Sequence, residues 1–141
     1  MVDVETTQAN GHAEREAAIT MIDRTVRKEG ATIGADRGYD VEDFFEQLDR
    51  RKLKAHVARK KTGSAVDGRT ARGKGYAISL RKRKRIEECF GWMKTIGGLR
   101  KTRHIGLQKI AGPALLTFAT YNLVRLMNLL AASNLAETPT G

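Results

Sequence analysis

The first 58 residues switch repeatedly between two hydrophobic periods, and this alternation restricts the fold more than any other feature. Residues 1–4 read as the end of a strand, 13–28 as a helix, 31–35 as a strand, 41–51 as a second helix and 53–58 as a third strand. Parallel neighbours need a crossover long enough to hold a helix, so the pattern predicts an α/β domain with parallel pairing. Helix 13–28 takes its apolar residues from Ala17, Ile19, Met21, Ile22 and Val26. Glu14 and Glu16 at its start and Arg27 and Lys28 at its end suit the helix dipole, and Gly30 stops it. Phe44, Phe45 and Leu48 are the inward face of the second helix. A chain of 141 residues suffices for one such domain with a modest core.

The second half has a different texture. Residues 60–75 hold four glycines and five Lys/Arg with few apolar side chains, which predicts a basic loop. A helix is expected over 77–96, ended by Gly97-Gly98, followed by a basic connector over 99–105. The last long helix opens at Gly106 or Pro113 and runs to about Ala132. The expected division is a domain over 1–132 and a polar, flexible tail over 133–141. Residues 110–132 are apolar enough to raise a membrane question, but Asn122, Arg125 and Asn128 interrupt them. Burial against a sheet or a partner chain is the expected role, with no membrane span.

Charge is distributed unevenly. Residues 1–49 hold 5 Lys/Arg and 12 Asp/Glu, a net of −7, whereas residues 50–110 hold 20 and 3, a net of +17. Residues 111–141 hold one of each, giving the overall +10. A dense block with so little counter-charge predicts a polyanion partner, DNA or RNA. The lone cysteine, Cys89, falls on a predicted apolar face and suits a small core residue in a reducing compartment. The first eleven residues are polar and acidic, unlike a secretory signal, so the expected location is the cytoplasm.

The basic block feeds a helix, Arg81-Lys-Arg-Lys-Arg-Ile-Glu-Glu-Cys-Phe-Gly-Trp-Met-Lys94. At 3.6 residues per turn, Ile86, Cys89, Phe90 and Met93 share one side. Arg83, Glu87 and Lys94 form a neighbouring stripe, and Glu88 points away from both. Glu87 is therefore expected at the rim of a buried face between two cations, a place suited to holding a metal ion beside a phosphate backbone. Asp36, at the C-terminal end of a predicted strand, is the second candidate, because parallel sheets place functional groups there. The competing role is a helix cap, but Asp36 lies early for helix 41–51 and Asp40 is the better cap. Together Asp36 and Glu87 would supply the protein part of a divalent-metal site.

Other constellations are weaker. Residues 63–70 nearly fit a phosphate-binding loop, but Arg69 stands where Lys is required. His12, His56 and His104 are scattered without zinc spacing: a helix start, a strand residue and a connector residue. Trp92 and Tyr76 suit base stacking and core packing equally.

Gly34-Ala-Asp-Arg-Gly-Tyr-Asp40, Asp67-Gly-Arg-Thr70 and the run from Arg85 to Arg103 resemble the C-terminal catalytic part of bacterial insertion-sequence transposases of the DDE type. Tyr121-Asn-Leu-Val-Arg125 resembles part of that family's closing helix. The resemblance implies a ribonuclease H-like fold, here truncated: a short, mostly parallel sheet with packed helices and a long C-terminal helix. It also implies divalent metals, Mg²⁺ or Mn²⁺, held by two aspartates and a glutamate, which activate water and then a DNA 3′-hydroxyl for attack on phosphodiesters. Asp36 matches the second aspartate and Glu87 the glutamate. Arg83 and Lys94 match basic residues that approach transposon-end DNA, whereas Leu80 stands where a Tyr is often found. Arg81, Lys82, Lys84, Arg85, Arg100, Lys101 and Arg103 are the further DNA-binding candidates. The first aspartate belongs to a strand upstream of any in this chain, and Asp3 is not its match. The resemblance thus implies a fragment of a transposase, inactive alone.

Three functions follow from these residues: a transposase catalytic fragment, a non-catalytic DNA-binding regulator of a full-length transposase, or a basic structural protein. DNA is the expected partner, with self-association or pairing with another transposase chain.

Overall fold

Two short parallel strands carry the alternation expected from the sequence. The structure, a computed structural model, describes residues 3–8, 10–101 and 103–136. Strands β1 (Thr32–Ala35) and β2 (Lys54–Val57) pair with Thr32 opposite Lys54 and Ala35 opposite Val57. Backbone bonds continue the pairing at both ends, Lys54 N–H to the Ala31 carbonyl at 2.8 Å and Ala58 N–H to the Ala35 carbonyl at 3.0 Å. Helices α1 (Ala13–Thr25), α2 (Glu42–Arg50), α3 (Gly68–Ala71), α4 (Lys74–Thr95) and α5 (Leu107–Ala136) complete the described residues, with a 3-10 turn at Arg37–Tyr39. The fold is α/β, with a short parallel sheet, packed helices and a long C-terminal helix.

The chain divides into two units, residues 7–88 and residues 1–6 with 89–141. In the first, α2 is the crossover between the strands. Phe44 and Leu48, one turn apart, are 1% and 0% exposed and meet Ile22, Val57, Val66 and Tyr76. Burying two such side chains contributes about 1.5–3 kcal/mol each. In the second, Cys89 and Met93 pack with Phe118, joined by Val4, Trp92, Leu99 and Tyr121.

Several boundaries differ from expectation. No strand forms at Asp3 and Val4, and Met1 and Val2 lie outside the described residues, so the described sheet has two strands where three were expected. Helix α1 ends at Thr25, short of Arg27 and Lys28. The β-branched pair Thr25-Val26 favours that stop: Val26 is extended, and the Thr25 hydroxyl bonds back to the Met21 carbonyl at 2.7 Å. His12 starts α1 as expected, its carbonyl accepting the Arg15 and Glu16 N–H groups, while the side-chain cap comes from Asn10, which accepts the Ala13 N–H. The basic loop contains α3 and gives way to α4 at Lys74, three residues early, because the Gly73 carbonyl receives the N–H groups of Tyr76 and Ala77.

Helix α5 departs furthest from expectation. It opens at Leu107 and runs through Pro113 to Ala136, four residues into the expected tail; residues 137–141 lie outside the described set. It was expected to be buried, yet Leu116, Leu123 and Met127 are 69%, 62% and 69% exposed. By length and composition it could cross a membrane. Its apolar residues surround the axis, so packing Ala114 and Phe118 leaves most of them uncovered.

Candidate nucleic-acid interface and carboxylate pair

On α4, the cations at 81, 82, 84 and 85 are exposed and Arg83 is half-buried. Arg83 Nη2 donates towards Glu87 Oε1 at 3.2 Å, an i,i+4 ion pair that places the two on one stripe, as expected. The Arg83 Nε–H is covered and has no acceptor among the described residues. The expected apolar face is only partly buried. Cys89 and Met93 are 4% and 1% exposed, but Ile86 and Phe90 are 47% and 46% exposed. The cause is that α4 serves two cores. Tyr76 and Leu80 pack in the core of residues 7–88, Cys89 and Met93 pack in the other unit, and Ile86 belongs to neither. Phe90 meets Phe118 edge-on at 6.1 Å. Lys94, Arg100, Lys101 and Arg103 are exposed in the second unit.

Asp36 follows β1 as expected and is exposed, but it also caps, at a turn the sequence reading did not foresee. Its Oδ1 accepts the Gly38 N–H at 2.7 Å, closing the 3-10 turn. Asp40 is not the cap of α2; Val41 holds that position without a side-chain bond. Instead Asp40 is 1% exposed and accepts two backbone donors from beyond β2: Lys60 N–H at 2.6 Å and Ala65 N–H at 2.9 Å. Burial pushes this carboxyl up, but the bonds from Lys60, Ser64 and Ala65 and the Lys60 charge together hold it below the usual carboxylate range. Sequence reasoning missed this role; the only signal was a second Asp in Asp36-Arg-Gly-Tyr-Asp40.

His56, on β2, meets the Ser79 hydroxyl of α4 at 2.7 Å. Burial, then the Lys54 charge, push its pKa down and favour the neutral ring. The two aromatic candidates serve packing. Tyr76 is buried and donates to the Val57 carbonyl at 2.7 Å, and Trp92 lies against Tyr121 at 5.5 Å.

Among the described residues, no group of three or more His, Cys, Asp or Glu side chains is placed to hold a metal ion. A family model described as "Transposase DDE domain" matches residues 1–123, and the chain belongs to that family. No curated protein and no solved structure matches it. Membership gives the chain a transposition-related function and implies DNA and a divalent metal ion. Asp36 and Glu87 are oxygen donors of the kind such an ion takes. Asp36, however, caps a turn and Glu87 pairs with Arg83, and among the described residues neither belongs to a group of three or more metal-ligating side chains. These residues alone do not fit a complete metal site.

Proposed function

We propose that this chain is a DNA-binding part of an insertion-sequence DDE transposase with a ribonuclease H-like catalytic domain over residues 1–132. It acts in the cytoplasm. The carrying observation is the run of five cations on α4, four of them exposed and the fifth paired with Glu87. In this reading Arg81, Lys82, Lys84 and Arg85 lie along the phosphate backbone, and Arg83 and Lys94 approach DNA beside Glu87. Arg100, Lys101 and Arg103 are further DNA-binding residues, in the second unit. Asp36 and Glu87 contribute part of the ligand set for Mg²⁺ or Mn²⁺.

The test is binding to unrelated DNA duplexes across a salt series. Each neutralised phosphate contributes about 0.9 to the slope of log affinity against log salt. Replacing Arg81, Lys82, Lys84 and Arg85 by Gln should lower the slope by about 3 to 4. A flat salt dependence of the unaltered chain would rule out this reading.

A non-catalytic role has one observation in its favour: among the described residues, no group of three or more His, Cys, Asp or Glu side chains is placed to hold a metal ion. A nicking assay on supercoiled DNA with Mg²⁺ or Mn²⁺ tests whether the chain carries a complete site. Little nicking, unchanged by Glu87→Gln, supports the DNA-binding role. Robust metal-dependent nicking abolished by that substitution supports a complete site.

A further inference from the structure

The two ends of the sheet treat their cations differently. Beside the start of the strands, three successive cations pair with carboxylates. Arg51 grips Asp23 through Nε and Nη2 at 2.6 and 2.9 Å, Lys52 reaches Glu29 at 3.1 Å, and Arg50 pairs with Glu46 at 3.5 Å. Beside the finish of the strands no such pair is formed by the three successive cations among the described residues. Arg59, Lys60 and Lys61 follow β2 after Ala58; none forms an ion pair within 4.0 Å of a carboxylate among the described residues, although the Lys60 charge acts on Asp40. The register sets these cations beside Asp36. Ala35 faces Val57, and the Ala58 N–H bonds the Ala35 carbonyl, so residues 36 and 59 leave the same edge of the sheet. That edge is where parallel sheets engage ligands.

The segment that carries the cations is also fixed. Buried Asp40 holds it at two points, the N–H groups of Lys60 and Ala65, and Gly63 turns the chain between them with φ +61°. The Ser64 hydroxyl accepts the Val66 N–H at 3.1 Å and so tightens the same turn. A loop that only needed solvation would not require a buried carboxylate to hold it.

We infer that residues 59–65 form a second DNA-backbone contact, with Arg59, Lys60 and Lys61 on phosphates next to Asp36 and with Asp40 as the positioning residue that holds the loop in place. This rests on the DNA-binding reading of α4 and adds a contact at the strand ends. Fixing the loop in advance lowers the ordering cost when its cations meet phosphates.

The experiment uses the full chain and a duplex of unrelated sequence, with binding followed over a salt series. Arg59→Gln, Lys60→Gln and Lys61→Gln together leave the Asp40 clamp intact, because Lys60 gives the clamp its backbone N–H. This triple variant should lower the salt slope by about 2 to 3. A control with Arg50→Gln and Lys52→Gln, at the paired end, should leave the slope unchanged. Asp40→Asn should speed amide exchange at Lys60 and Ala65 and weaken DNA binding; exchange at those two amides in the unaltered chain should slow when the duplex is added. An unchanged slope in the triple variant, while the unaltered chain still binds DNA, would overturn this inference and leave the α4 reading standing. An equal drop in the control would show that binding reads net charge alone, and would also overturn it. Failure of the unaltered chain to bind DNA would overturn both.

Discussion

Asp40 shows how much one side chain can organise. Its two backbone partners lie 20 and 25 residues further along the chain. Truncating it to Ala leaves those N–H groups without an acceptor and should cost about 2 kcal/mol or more, read by urea denaturation. The pH dependence has a definite sign. The folded carboxyl titrates below its unfolded value, so its contribution is present above the unfolded pKa and is lost as pH falls through the lower, folded one. The stability gap between the unaltered chain and Asp40→Asn should therefore hold at neutral pH and narrow below about pH 4. Asp36 was legible as a functional candidate because it follows a strand. Asp40 was not, because its partners are backbone groups, which carry no sequence signature. The Arg83–Glu87 pairing was legible because helical spacing alone brings the two together.

Among elements, α2 is the piece whose sequence and structure agree most closely. Of its expected inward residues, Phe44 and Leu48 are buried and Phe45 is half-buried against the same core, and Leu48→Ala should cost about 2–5 kcal/mol in thermal or urea unfolding. The close of α4 depends on a small residue. A methyl group on Gly97 would collide with Thr117 Cγ2 and lie 2.8 Å from the Met93 carbonyl oxygen. Gly97→Ala should destabilise by about 1–3 kcal/mol, with loss concentrated around Met93 and Phe118 in hydrogen exchange. The element errors share a cause. Gly73 and Gly75 made the start of α4 look like loop, and Thr25-Val26 ended α1 where an apolar period alone would have continued it. In each case local backbone chemistry outweighed periodicity.

For the whole molecule, composition revealed the partner class more readily than the packing. The basic block stands out in a charge count, but the exposure of α5 depends on what covers it, which no periodicity reveals. Its uncovered side chains should bind a hydrophobic dye such as ANS. Leu116→Gln, Leu123→Gln and Met127→Gln, which share one stripe, should reduce the fluorescence without loss of helicity. The division into two units also has a consequence in time. Residues 7–88 form their unit from one uninterrupted stretch, whereas the other unit brings Val4 together with Cys89, Met93 and Phe118. Joining segments so far apart must overcome a larger loop-closure entropy, and on the ribosome it must wait for the later residues to emerge. The strand–helix–strand unit is thus set to form first. Pulse-labelled exchange during refolding should protect the amides of Leu48 and Val57 before that of Met93.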